Sequence, residues 1–148
     1  MDSEILSILM DALFIYLLVW CSYTDLKKRI VPNIAIALLL CLGAIHFMLM
    51  LFSSMAWWQY PVALLVAVPF LIAWLKDKMG AGDVKLIIAT SLYLGLTNMM
   101  ITFLLMVPLL IVLMIYSAVK GRKSRQLIPL APVIAFGGIG AVILNRIF

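Results

Sequence analysis

The chain has 148 residues, of which 67% are hydrophobic and only 11% charged, and it carries a net charge of +5. Soluble domains have roughly a quarter of their residues charged, and a globule of this length cannot hide so much apolar surface. An ordinary soluble domain is therefore excluded. The basic excess needs no nucleic acid as partner, because Lys and Arg beside anionic lipid headgroups account for it at ~1 kcal/mol per residue.

A bilayer solvates apolar side chains directly, so the expectation is an all-α, polytopic membrane protein. Six helices of ~20 residues use ~120 positions and leave about 28 for connections, which implies one membrane-embedded unit over residues 1–148. The first apolar run covers about Ile5 to Tyr23 and ends in Thr24-Asp25-Leu26-Lys27-Lys28-Arg29. Its start, Met1-Asp2-Ser3-Glu4, is acidic and lacks the basic region of a signal peptide, so the run is expected to stay as a membrane helix. A second run follows Val31-Pro32-Asn33 and reaches about Phe52. Pro32 suits a helix start, and Asn33 is a candidate cap.

The third run spans about Trp57 to Leu75 and opens on the aromatic cluster Trp57, Trp58 and Tyr60, typical of a membrane interface. A polar connection, Lys76 to Asp83, leads into a short fourth run, about Val84 to Leu96. A fifth covers about Met99 to Val119 and a sixth about Leu127 to Ile147. With six passes, the connections 24–33, 76–83 and 120–126 share one face. Together with the adjoining Lys85 they hold ten of the eleven basic residues, all but Arg146. The positive-inside rule places that face in the cytoplasm and both termini outside the inner (plasma) membrane.

Six acidic residues are present: Asp2, Glu4, Asp11, Asp25, Asp77 and Asp83. A carboxylate at membrane depth costs roughly 2.5–3.5 kcal/mol on insertion scales, so it has a partner or a task. Asp25 closes the first run and Asp83 opens the fourth, at the same cytoplasmic boundary and on different helices. Two carboxyl groups within reach share one proton. The ionised member can take a proton from water while the protonated member polarises a carbonyl, which is aspartic-protease chemistry. Gly80 and Gly82 permit tight or left-handed backbone and leave room for a peptide. The alternative reading of this stretch is a plain turn with Asp83 as helix cap.

Other candidates are weaker. His46 lies mid-way in the second run and reads as a packing residue. One His without clustered Cys gives no metal site, and no cofactor is implied. Cys21 and Cys41 lie within apolar runs and form no CxxC pair. Asp77, between Lys76 and Lys78, reads as a solvated charge. Asp11 is ~21 Å along a helix from Asp25, too far to join a pair, and reads as an outer-leaflet polar contact. Gly43, Gly137, Gly138 and Gly140 allow close helix approach. The stretch Lys120 to Arg125 reads as a lipid-facing basic patch.

Asp25-Leu26-Lys27-Lys28-Arg29-Ile30-Val31-Pro32-Asn33 closely resembles the first aspartate motif of the prepilin peptidases, in which an aspartate precedes Pro-Asn at this spacing. Gly80-Ala81-Gly82-Asp83-Val84-Lys85-Leu86 is similar to their second motif, GxGDxKL, at every fixed position. Pro129-Leu130-Ala131-Pro132 echoes the Pro-Phe-Gly-Pro or Pro-Phe-Ala-Pro that opens the last helix in many members. The resemblance covers essentially the whole chain. It implies that Asp25 and Asp83 correspond to the two catalytic aspartates of a membrane aspartic endopeptidase. Gly80, Gly82, Lys85, Pro32 and Asn33 then shape the site or contact substrate. The substrate implied is a prepilin-like protein, cut at the cytoplasmic face just before its hydrophobic segment. Larger members carry two CxxC pairs and N-methylate the product. This chain lacks that segment, so no methyltransferase activity is expected, and it looks like the short form of tight-adherence (Flp-type) pilus systems, with an archaeal short form as the alternative.

Three competing readings stand beside this one. A small proton-coupled transporter would use the same aspartates as relays, but needs a polar path to the outer half. An intramembrane GxGD protease usually places its first aspartate in a Tyr-Asp pair, whereas Thr24 separates Tyr23 from Asp25 here. A non-enzymatic assembly subunit would have no need of both aspartates. The oligomeric state is not legible in the sequence.

Overall fold

The computed structural model describes residues 2–52, 57–76, 79–119 and 130–147, and among them it contains helices and turns but no strand. In chain order the helices are α1 (Asp2–Lys28), α2 (Asn33–Phe52), α3 (Gln59–Leu65), α4 (Val68–Leu75), α5 (Ala81–Val119) and α6 (Ala131–Ile147). Three stretches, Glu4–Lys28, Asn33–Phe52 and Ala81–Leu113, are long and apolar enough to cross a membrane. Gln59–Leu75 and Ala131–Ile147 are apolar but shorter. The apolar runs make these helices because they are long and rich in Leu, Ile and Ala. In lipid, moreover, every main-chain group must find its partner inside the segment.

Three sequence boundaries need correction. The first helix does not stop at Tyr23 but continues to Lys28, so Asp25 sits within its last turn. It ends where Arg29 takes a left-handed φ of 54° while its N–H donates to the Asp25 carbonyl at 2.8 Å. The third run is two short helices, since backbone bonding at Val66 and Ala67 tightens to the i−3 spacing. The fourth and fifth runs are the two helical halves of α5, and they meet at a kink slightly earlier than expected. Its ladder breaks at Gly95, whose φ of 70° and ψ of 178° only glycine adopts without strain. The sixth helix is described from Ala131, and its expected start at about Leu127 lies outside the described residues. The basic stretch Lys120 to Arg125, with Asp77 and Lys78, lies outside the described residues.

Contacts set the relative directions of the helices. Along α1, Asp25 and Ser22 meet Ala131, Leu18 meets Gly138, and Asp11 meets Arg146, so α1 and α6 run antiparallel. Asn33 meets Lys85 and His46 meets Tyr93, so α2 runs alongside the first half of α5 in the same direction. After the break, Gln59 bonds Thr97 and Phe70 stacks on Phe103 at 5.5 Å, which aligns α3 and α4 with the second half of α5. The core between them is Phe14, Leu17, Leu18, Leu39, Leu86, Ile87, Met99 and Ile134, all essentially inaccessible. Glycines let the main chains close in, as the close helix packing of membrane proteins requires. A side chain at Gly43 would press on the Tyr93 backbone nitrogen at 3.2 Å, and one at Gly137 on the Thr102 carbonyl. Large apolar side chains such as Ile34, Leu75 and Leu104 point outward, where lipid would solvate them.

Candidate active site

The last turn of α1, the turn 29–32 and the first turns of α5 and α6 converge at one end of the bundle. Asp25 is buried, with 7% of its surface exposed. Its Oδ2 accepts a hydrogen bond of 3.3 Å from the main-chain N–H of Ala131, the first residue of α6. Four N–H groups at a helix start lack an internal partner, so this donor is free to serve a side chain. One turn back, the Ser22 hydroxyl meets both the Leu18 and the Ala131 carbonyls, which pins α1 to the start of α6.

Asp83 enters from α5. It is the third helical residue there rather than the cap, because the Gly80 carbonyl accepts the first helical bond, from Val84. Its carboxyl folds back over Gly80, where an added Cβ would lie 3.1 Å from Oδ2. A carboxylate in the first turn also suits the positive end of the helix dipole. The two aspartates sit close enough that the Asp25 charge bears on Asp83. The Arg29 guanidinium in turn bears on Asp25.

The glycines act differently from the expectation. Neither Gly80 nor Gly82 takes a left-handed conformation; among the described glycines only Gly95 does. Their value is absence of bulk. A side chain on Gly82 would meet Val31 Cβ at 3.2 Å, so α5 starts hard against the turn that follows α1. Pro32, not Asn33, occupies the cap position of α2, its carbonyl accepting from Ile36 at 3.2 Å. The Asn33 side chain is thereby spared, and its Oδ1 receives Lys85 Nζ at 3.5 Å. Both halves of the sequence pattern are thus joined by Gly82 on Val31 and Lys85 on Asn33. Among the described residues no group of three or more His, Cys, Asp or Glu gathers as a metal site would require.

The model of the type IV leader peptidase family matches residues 12–116, which include Asp25 and Asp83. The chain belongs to that family. No curated protein and no solved structure matched it. The family match ends before α6, so Ala131 joins the candidate site from outside the matched region. Sequence reasoning missed it as a functional residue, since the group that matters is a main-chain amide. The one available signal was the Pro-flanked stretch around it.

Proposed function

We propose that the chain is an aspartic endopeptidase that removes the short basic leader of prepilin-like proteins at the cytoplasmic face of the membrane. The observation that supports this most is the convergence of Asp25 and Asp83, from helices distant in sequence, at one end of the bundle. That end also holds Lys27, Lys28, Arg29 and Lys85, so the positive-inside rule favours the cytoplasm for it. The relative directions of the helices suit six passes, with Gly95 as the reversal between the fourth and fifth and both chain ends outside.

The chemistry follows from one shared proton. The ionised carboxyl takes a proton from water as its oxygen attacks the scissile carbonyl carbon. The protonated carboxyl hydrogen-bonds and then protonates the carbonyl oxygen. The tetrahedral intermediate collapses, the C–N bond breaks, and the amine leaves with a proton. The Ala131 N–H holds the Asp25 carboxyl in place meanwhile, and Gly80, having no side chain, leaves the Asp83 carboxyl room to turn in.

The proton-transport reading needs a continuous polar path. Between Asp25 and Asp11 the inward face of α1 is Cys21, Leu18, Leu17 and Phe14. The buried hydroxyls Thr90 and Ser91 donate to carbonyls of their own helix, so the peptidase reading is preferred. The test is mass spectrometry on a prepilin-like substrate reconstituted with the enzyme in vesicles. The reading predicts loss of the basic leader by one cut just before the apolar segment. An intact precursor, or a cut inside the apolar helix, contradicts it.

A further inference from the structure

The opposite end of the bundle holds a half-open polar cavity of about 280 Å³, built where Ser7, Met50, Asn98 and Arg146 meet. Its floor is an ion pair. Arg146 Nη2 and Nε lie 2.6 and 2.9 Å from Asp11 Oδ2, and the Tyr93 hydroxyl donates to Oδ1 at 2.6 Å. Arg146 Nη2 also donates to Ser7. Asp11 is thereby neutralised, and with Nε and Nη2 of Arg146 committed, Nη1 is the guanidinium nitrogen that keeps its donors.

The remaining lining is polar and unspent. Among the described residues the side chains of Tyr60, Asn98 and Asn145 carry no hydrogen bond. His46 Nδ1 lies 3.0 Å from the Tyr93 carbonyl, which can only accept, so in the neutral ring Nδ1 bears the proton and Nε2 is an acceptor. The uncommitted donors are the N–H groups of Arg146 Nη1, the amides of Asn98 and Asn145 and the Tyr60 hydroxyl, set against apolar walls of Met50, Leu94 and Val142. The cavity opens where α2 and α6 end and α3 begins, at Met50, Arg146 and Tyr60, and apolar helices end where headgroups begin.

We propose that this cavity binds the phosphate of a phospholipid headgroup, with Arg146, Asn98 and Asn145 donating to its oxygens. The two N–H groups of Arg146 Nη1 are charge-assisted donors to phosphate oxygens, and neutral amides complete the shell without adding charge. Free phosphate shares the chemistry, but the apolar walls and the lipid-facing helices around the cavity favour the lipid.

The test uses the full chain, purified in a phosphate-free non-ionic detergent, with native mass spectrometry of bound dioctanoyl phosphatidylglycerol. Wild type is expected to retain one lipid, and equimolar inorganic phosphate is expected not to displace it. Loss of the amide donors in Asn145→Leu, or in Asn98→Leu/Asn145→Leu, lowers retention roughly tenfold. Asn145 is exposed, so its single variant keeps the fold, which helical circular dichroism checks. Equal retention by the variants, no retention by wild type, or displacement by inorganic phosphate would each overturn the proposal.

Discussion

The main-chain N–H of Ala131 lies 3.3 Å from Oδ2 of Asp25, across 106 positions of sequence. This bond ties the start of α6 to the side chain proposed to do the chemistry, and it isolates one prediction. Proline is tolerated in the first turn of a helix because the N–H it lacks has no helical partner there. Ala131→Pro therefore removes the bond to Asp25 without breaking α6. The expected result is a drop in kcat of about ten- to a hundredfold, the scale of a slightly misplaced catalytic group, with KM little changed. Ala131→Gly, which keeps the N–H, should behave as wild type. Steady-state cleavage kinetics on both variants checks this.

A second prediction concerns Gly82 and Val31. An added Cβ on Gly82 meets Val31 Cβ at 3.2 Å, so a branched side chain must push the two motifs apart. Overpacking of this kind costs about 1–3 kcal/mol. Gly82→Val should lower thermal stability and cleavage together, and Val31→Ala on that background should restore part of both. A double-mutant cycle by thermal melting gives the coupling directly.

The shared proton also sets a pH dependence. The pair works when one carboxyl is ionised and the other is protonated. Below the range where the first ionises, both are protonated and no base exists. Above the range where the second ionises, no acid remains. Cleavage by wild type should follow a bell in pH whose two limbs belong to the pair, not to either residue. A profile that rises to a plateau without an alkaline limb would indicate a single catalytic carboxylate.

Much of this architecture is legible in sequence, and what is missed has a physical pattern. The apolar runs and the Pro32 boundary mark α1 and α2 because lipid burial and proline geometry act locally. Asp25, Asp83, Gly80, Gly82, Lys85 and Asn33 stand out through their spacing, and the structure gathers them at one end. Gly95 escaped notice because a glycine among leucines reads as helix packing until its φ is known. The ion pair of Asp11 with Arg146 was hidden by a separation of 135 residues, so Asp11 was expected to make a polar contact but its partner was not. His46 was expected only to pack. It does stack on Tyr93, at 4.8 Å between ring centres, and also donates to that residue's carbonyl. Ala131 had no side-chain chemistry to advertise.

The central claim is tested most directly by leader cleavage with purified wild type, Asp25→Asn, Asp83→Asn and the double variant. Asn keeps size and polarity but cannot hold the shared proton. Because the two residues act as a unit, each single variant should be as inactive as the double, with intact precursor in all three. Cleavage at near wild-type rate by either single variant would contradict the account.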